Sequence, residues 1–184
     1  SNVTNMSYMF STATVFNQDI NTKVAFDTIG KQYKAWNVSN VQNMEGMFLL
    51  AENFNQDIGD WNVSNVTNMN KMFNEAKKFN NGGKPIKWDV SNVQDMSKMF
   101  GVASKFNQDI SQWNVSNVQN MYEMFFVAES FNQNLCNWPI SPDANVKNMF
   151  MGSPSEKFLP CEKSRCGKDW NSASRECGPI CIDD

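Results

Sequence analysis

Histidine is missing altogether from this 184-residue chain. Its absence removes the commonest general base, the commonest metal ligand and the usual partner of a nucleophilic serine or cysteine. A glycine-rich phosphate loop of the GxGxxG or GxxxxGKS kind is missing too. No run of eighteen apolar residues occurs, so no segment is expected to span a bilayer as a helix. Charge of one sign is also scarce. The 16 basic and 19 acidic residues leave a net charge of −3, too small and of the wrong sign for a nucleic-acid or anionic-membrane footprint. No cleavable leader pattern is visible. The opening SNVTNMSYMF reads as the middle of a repeat, and the chain is expected to be part of a longer protein. No catalytic residue, cofactor or metal is expected, and the chain is not expected to be an enzyme.

What is present is a repeat. Trp36, Trp61, Trp88, Trp113 and Trp138 are separated by 25, 27, 25 and 25 residues. The same text surrounds each, as in FNQDIGDWNVSNVTNMNKMFNEAKKF and FNQDISQWNVSNVQNMYEMFFVAESF. A match of this length is a structural unit, and such units bury their apolar residues by stacking.

The unit has two halves. Trp61 and Val63 alternate with Asp60, Asn62 and Ser64, the period of a short half-buried strand. Val66, Met69, Met72, Phe73 and Ala76 then follow at steps mostly of three, which predicts a short helix or helical turn. Ser64 and Asn65 precede it as capping residues. Such a run is too short to hold alone and must dock. The expected fold class is therefore α/β: a leucine-rich-repeat-like solenoid with one short parallel strand and one short helix or helical turn per repeat of about 25 residues.

The signature MFxxAxxFNQDIxxWNVSNVxNM, over roughly residues 1–150, resembles the repeat of BspA-type surface proteins of bacteria and protists, also common in mycoplasma lipoproteins. The resemblance implies a right-handed solenoid displayed outside the cell, acting in adhesion or interaction. It implies no catalytic site.

Residues 1–150 are read as about six repeats and 151–184 as a cysteine-rich cap or tail. Residues 21–35 hold an insertion of about thirteen residues relative to the repeat, expected as an edge loop. Phe26, Lys31, Tyr33 and Lys34 are its candidate contacts, although a tolerated surface loop is the simpler reading. A smaller insertion lies in FNNGGKPIKW, where Asn81, Gly82, Gly83 and Pro85 predict a lengthened turn. Of the five cysteines, Cys161, Cys166, Cys177 and Cys181 lie in the tail and Cys136 in the last repeat. A tail without its own core predicts disulfides, of undetermined pairing and with one cysteine odd. Zinc is the competing reading, but paired CxxC spacing and histidine are both missing.

Asn2, Asn5, Asn37, Asn62, Asn65 and Asn114 each begin an N-x-S/T sequon and are candidate glycan acceptors in a eukaryotic secretory protein. Structural use within the repeat explains the same asparagines. Asp19, Asp57 and Asp109 could line up as calcium ligands, but Pro85 and Asn134 interrupt the column and a turn role is simpler. The serines at 39, 64, 91 and 116 have no base at fixed spacing. The strand face presents Asn37, Asn62, Asp89 and Asn114 in register, a polar ladder suited to a protein or glycan partner. The expected function is an extracellular interaction or adhesion module. The alternative is a structural subunit of an extracellular filament, cell coat or particle shell, self-associated or joined to other subunits.

Overall fold

The structure is a computed structural model and describes residues 2–26 and 28–155. Its organising feature is a column of parallel bridges. Asn5 pairs with Asn43, Asn43 with Asn68, Asn68 with Asp95, Asp95 with Asn120 and Asn120 with Asn145. Each repeat therefore lies in parallel beside the next, one chemical position above its equivalent. This contact line falls at the asparagine of the V-x-N-M text. The period-two segment around Trp61 and Val63 forms no strand, although both side chains are buried.

The segment expected as a helix or helical turn is a chain of tight turns. Met72 N–H donates to the Met69 carbonyl, Asn74 to Lys71 and Ala76 to Phe73, each three residues back. The alternate amides point elsewhere. Met69, Lys71, Phe73 and Glu75 donate to the carbonyls of Asp95, Ser97, Met99 and Gly101 of the following repeat, at 2.8–2.9 Å. A continuous α-helix would spend every N–H on its own i−4 carbonyl and leave none for a neighbour. The turns close because every fourth residue takes a left-handed backbone: Lys71 has φ +54° and Glu75 φ +60°, and the pattern recurs at Lys98, Val102, Glu123 and Val127. Glycine would take this conformation at no steric cost. It does so at Gly46 and Gly152, which occupy the same two positions in other repeats.

A turn of four residues keeps the same apolar spacing as a helix, so Met69, Met72, Phe73, Ala76 and Phe79 all face inward and are fully buried. Equivalent phenylalanines stack from repeat to repeat. Phe48, Phe73, Phe100 and Phe125 follow at 5.4, 5.6 and 5.7 Å between ring centroids, with their planes nearly parallel. Within one repeat Phe73 lies 3.8 Å from Phe79. Burying a side chain of this size is worth about 1.5–3 kcal/mol, and offset aromatic pairs add about 0.5–1.5 kcal/mol each. The apolar columns thus supply the main stabilisation, with tryptophans forming a further column: Trp88, Trp113 and Trp138 stack at 6.2 and 6.4 Å.

Both insertions have defined structures. Within residues 21–35, β1 (Lys23–Phe26) and β2 (Gln32–Ala35) pair antiparallel, with Lys23 opposite Ala35 and Phe26 opposite Gln32. The predicted loop is thus a β-hairpin, and Gly30 at φ +79° lies in its connection. The lengthened turn is a short 3-10 segment, Asn81–Gly83. Asn81 is completely buried there. Its Oδ1 accepts from Ile58 N–H, and its Nδ2 donates to the carbonyls of Lys84 and Pro85. A buried amide so fully paired is a fixed joint of the backbone.

Candidate interaction surface

The polar ladder is built from turns in which a side chain caps the amide two residues on. The Oδ1 of Asn37, Asn62, Asp89 and Asn114 accepts the backbone N–H of Ser39, Ser64, Ser91 and Ser116, at 3.1, 3.1, 3.1 and 3.2 Å. Asn62, Asp89 and Asn114 are exposed and Asn37 is half-buried. One oxygen of each holds the rotamer, so the second terminal atom is presented at a fixed position. In Asn62 and Asn114 that atom is the Nδ2 donor; in Asp89 it is a carboxylate oxygen. The Ser91 hydroxyl, and then its amide, hold the Asp89 carboxyl below its ordinary value.

A second asparagine column joins the repeats. Nδ2 of Asn65, Asn92 and Asn117 donates to the carbonyls of Ser39, Ser64 and Ser91 in the preceding repeat, at 2.7, 2.8 and 2.7 Å. The sequence marks Asn65 as a sequon and as a cap of its own turn, not as a link to the preceding repeat. The signal for its structural role was the unbroken S-N dipeptide at 64–65, 91–92 and 116–117.

Asp19, Asp57 and Asp109 accept the amides of Asn21, Gly59 and Ser111, again two residues on. Asn134 does the same for Cys136, which shows that the position needs one acceptor oxygen and no charge. The Asp109 carboxyl is held below its ordinary value, chiefly by the Ser111 amide and then by the Ser111 hydroxyl. Among the described residues no three carboxylate or cysteine side chains come together in a way that could hold a metal ion.

The hairpin contributes apolar surface. Phe26 is 65% exposed and Ile29, between the strands, 84%. Tyr33 stands in β2 opposite Ala25. On the turn side lies a shallow cavity of about 200 Å³ lined by Asn74, Glu75, Lys98, Gly101, Val102, Glu123 and Phe126. Two of its charges pair with each other. Lys98 Nζ lies 3.2 Å from Glu123 and over the ring of Tyr122. The Tyr122 hydroxyl, with Lys98, holds the Glu123 carboxyl below its ordinary value.

The sequon residues Asn2, Asn5, Asn62, Asn65 and Asn114 are exposed, although Asn5 Oδ1 also accepts the Ser7 amide. Cys136 is in a disulfide. Cys161, Cys166, Cys177 and Cys181 lie outside the described residues, as does all of the expected cap beyond residue 155. Among the described residues no helix is long and apolar enough to cross a membrane.

Residues 1–81 and 83–159 match the family described as Mycoplasma protein of unknown function, DUF285. No curated protein and no solved structure matches the chain.

Proposed function

The chain belongs to the DUF285 family, and from that starting point we propose that it is a right-handed solenoid of the BspA type, displayed outside the cell, that binds a protein or glycan through its ladder of fixed polar side chains. The observation behind this reading is the exposed column Asn62, Asp89 and Asn114, each locked by one oxygen onto its own serine amide. Side chains ordered before binding lose less entropy when a partner arrives. Phe26 on β1 adds an exposed aromatic of the kind that anchors interfaces.

The test must change recognition without changing the fold. Asn62→Asp combined with Asn114→Asp does so, because Asp89 already makes the same turn with a carboxylate. The double variant should keep its thermal midpoint and lose at least about tenfold in affinity for whatever the parent binds on a glycan array or on immobilised fibronectin and collagen, the loss of roughly 1.4 kcal/mol. Undiminished binding by the double variant would remove the ladder from the account. Stable higher oligomers of the parent in light scattering, with no binding on either surface, would favour the structural-subunit reading.

A further inference from the structure

The insertion at residues 21–35 differs from the repeats in charge as well as in shape. It carries Lys23, Lys31 and Lys34 against one acid, Asp27, a net of +2 in a chain whose total is −3. The repeats are therefore more acidic than the whole, and the total charge conceals a basic segment. That segment is a sheet of two strands. β1 and β2 pair with each other and with no third strand among the described residues. Its base is tied to the stack. Thr22 Oγ1 donates to the Trp36 carbonyl at 3.3 Å, and the Trp36 ring lies 5.7 Å from Phe10.

The other end of the hairpin is in water. It lies three residue pairs beyond the base, a length of about 10 Å, and Phe26, Thr28, Ile29, Gly30, Lys31 and Gln32 are all exposed there. Two large apolar side chains stand at this tip, Phe26 at 65% and Ile29 at 84% exposure. Such groups stabilise a fold by being buried, so their exposure contributes nothing to this one.

We infer that the hairpin tip is a docking site for an anionic lipid surface. Apolar side chains beside lysines are what the headgroup boundary of such a surface takes up: the apolar groups enter it and the ammonium groups stay at the phosphates. The open edges of β1 and β2 keep the docking shallow, because unpaired backbone amides and carbonyls do not enter hydrocarbon. Only the Phe26 and Ile29 side chains pass below the headgroups. The same surface repels the acidic repeats, so the hairpin and not the stack makes the contact. This site does not depend on what the ladder binds.

Flotation of the full chain with vesicles tests it. Vesicles of phosphatidylcholine mixed with phosphatidylglycerol should be bound at least about tenfold more tightly than vesicles of phosphatidylcholine alone. Phe26→Ser combined with Ile29→Ser should weaken that binding at least about tenfold. Lys31→Glu combined with Lys34→Glu should remove the preference for the anionic lipid. Phe26→Leu combined with Ile29→Leu keeps the tip apolar and should bind within about threefold of the parent, which separates the chemistry of the tip from the detail of its shape. Equal affinity of the parent for the two kinds of vesicle, or a serine variant that binds as the parent does, would overturn the inference. So would a parent chain that dimerises in light scattering and becomes monomeric in the serine variant, since a second copy would then cover the tip.

Discussion

The indole N–H of Trp138 donates to the carbonyl of Ile110, 3.0 Å away in the preceding repeat. Trp61 and Trp88 do the same to Ile20 and Ile58. Trp113 breaks the series: its Nε1 is buried with no partner. The acceptor in its position would be Ile86, and the repeat that holds Ile86 carries the Asn81–Gly83 insertion in place of the N-Q-D turn. A change in one loop is thus felt one repeat later.

This relationship separates two otherwise equal substitutions. Trp138→Phe loses ring volume and the indole hydrogen bond to the Ile110 carbonyl, which keeps only the Trp113 amide, whereas Trp113→Phe loses only volume. Trp138→Phe should cost about 1 kcal/mol more, a difference of roughly 2–4 °C in Tm for a chain of this size. Paired denaturant melts of the two variants will show it.

The two asparagine columns predict opposite outcomes for the same chemical change. Asn114→Asp keeps the oxygen that accepts from Ser116, and its effect should stay within about 0.5 kcal/mol. Asn117→Asp replaces the donor to the Ser91 carbonyl by an anion facing that carbonyl, and should cost about 1–3 kcal/mol. Thermal denaturation of both at neutral pH compares them directly.

Gly59 is the tightest point next to the second insertion. A Cβ there would stand 2.2 Å from the Pro85 carbonyl oxygen and 2.8 Å from Asn81 Nδ2, both held in place by the paired Asn81 amide. Gly59→Ala should destabilise by about 1–3 kcal/mol or more. Gly83→Ala meets nothing within 4 Å and carries only the strain of its positive φ, about 1–2 kcal/mol. Urea melts should place Gly59→Ala as the less stable of the two.

Acid should weaken the turns capped by Asp89 and Asp109. Their folded carboxyls lie below the ordinary value of 3.8. A lowered folded value means stability present above that pH and lost as pH falls through the folded values. Asp109→Asn keeps the cap without the charge, as Asn134 does. Its stability should equal the parent's at pH 7 and fall less steeply below pH 4, read from Tm against pH.

The repeat, its apolar columns and the buried tryptophans were legible in the sequence because each is a spacing of large apolar residues. The local backbone was not. Met69, Met72, Phe73 and Ala76 satisfy a helix and a chain of four-residue turns equally, since both bring steps of three to one side. The deciding fact is the left-handed backbone at Lys71 and Glu75, residue types that give no hint of it. The hint stood in single repeats, at Gly46 and Gly152. The ladder residues Asn62, Asp89 and Asn114 were legible as exposed positions. Their locking onto Ser64, Ser91 and Ser116 was not, because a capping oxygen and a free one look alike in a sequence. Residues 21–35 were read as a loop since β1 and β2 are only four residues each, too short for a period to appear.

The central claim is that alternate amides of one repeat bond to the next repeat rather than to their own turn. Long-range NMR couplings across hydrogen bonds test it at single-bond level in an isotope-labelled, deuterated sample. The account predicts couplings from the amide nitrogens of Met69, Lys71, Phe73 and Glu75 to the carbonyl carbons of Asp95, Ser97, Met99 and Gly101. Couplings from those nitrogens to carbonyls four residues back in their own segment would mean helices, and would contradict it.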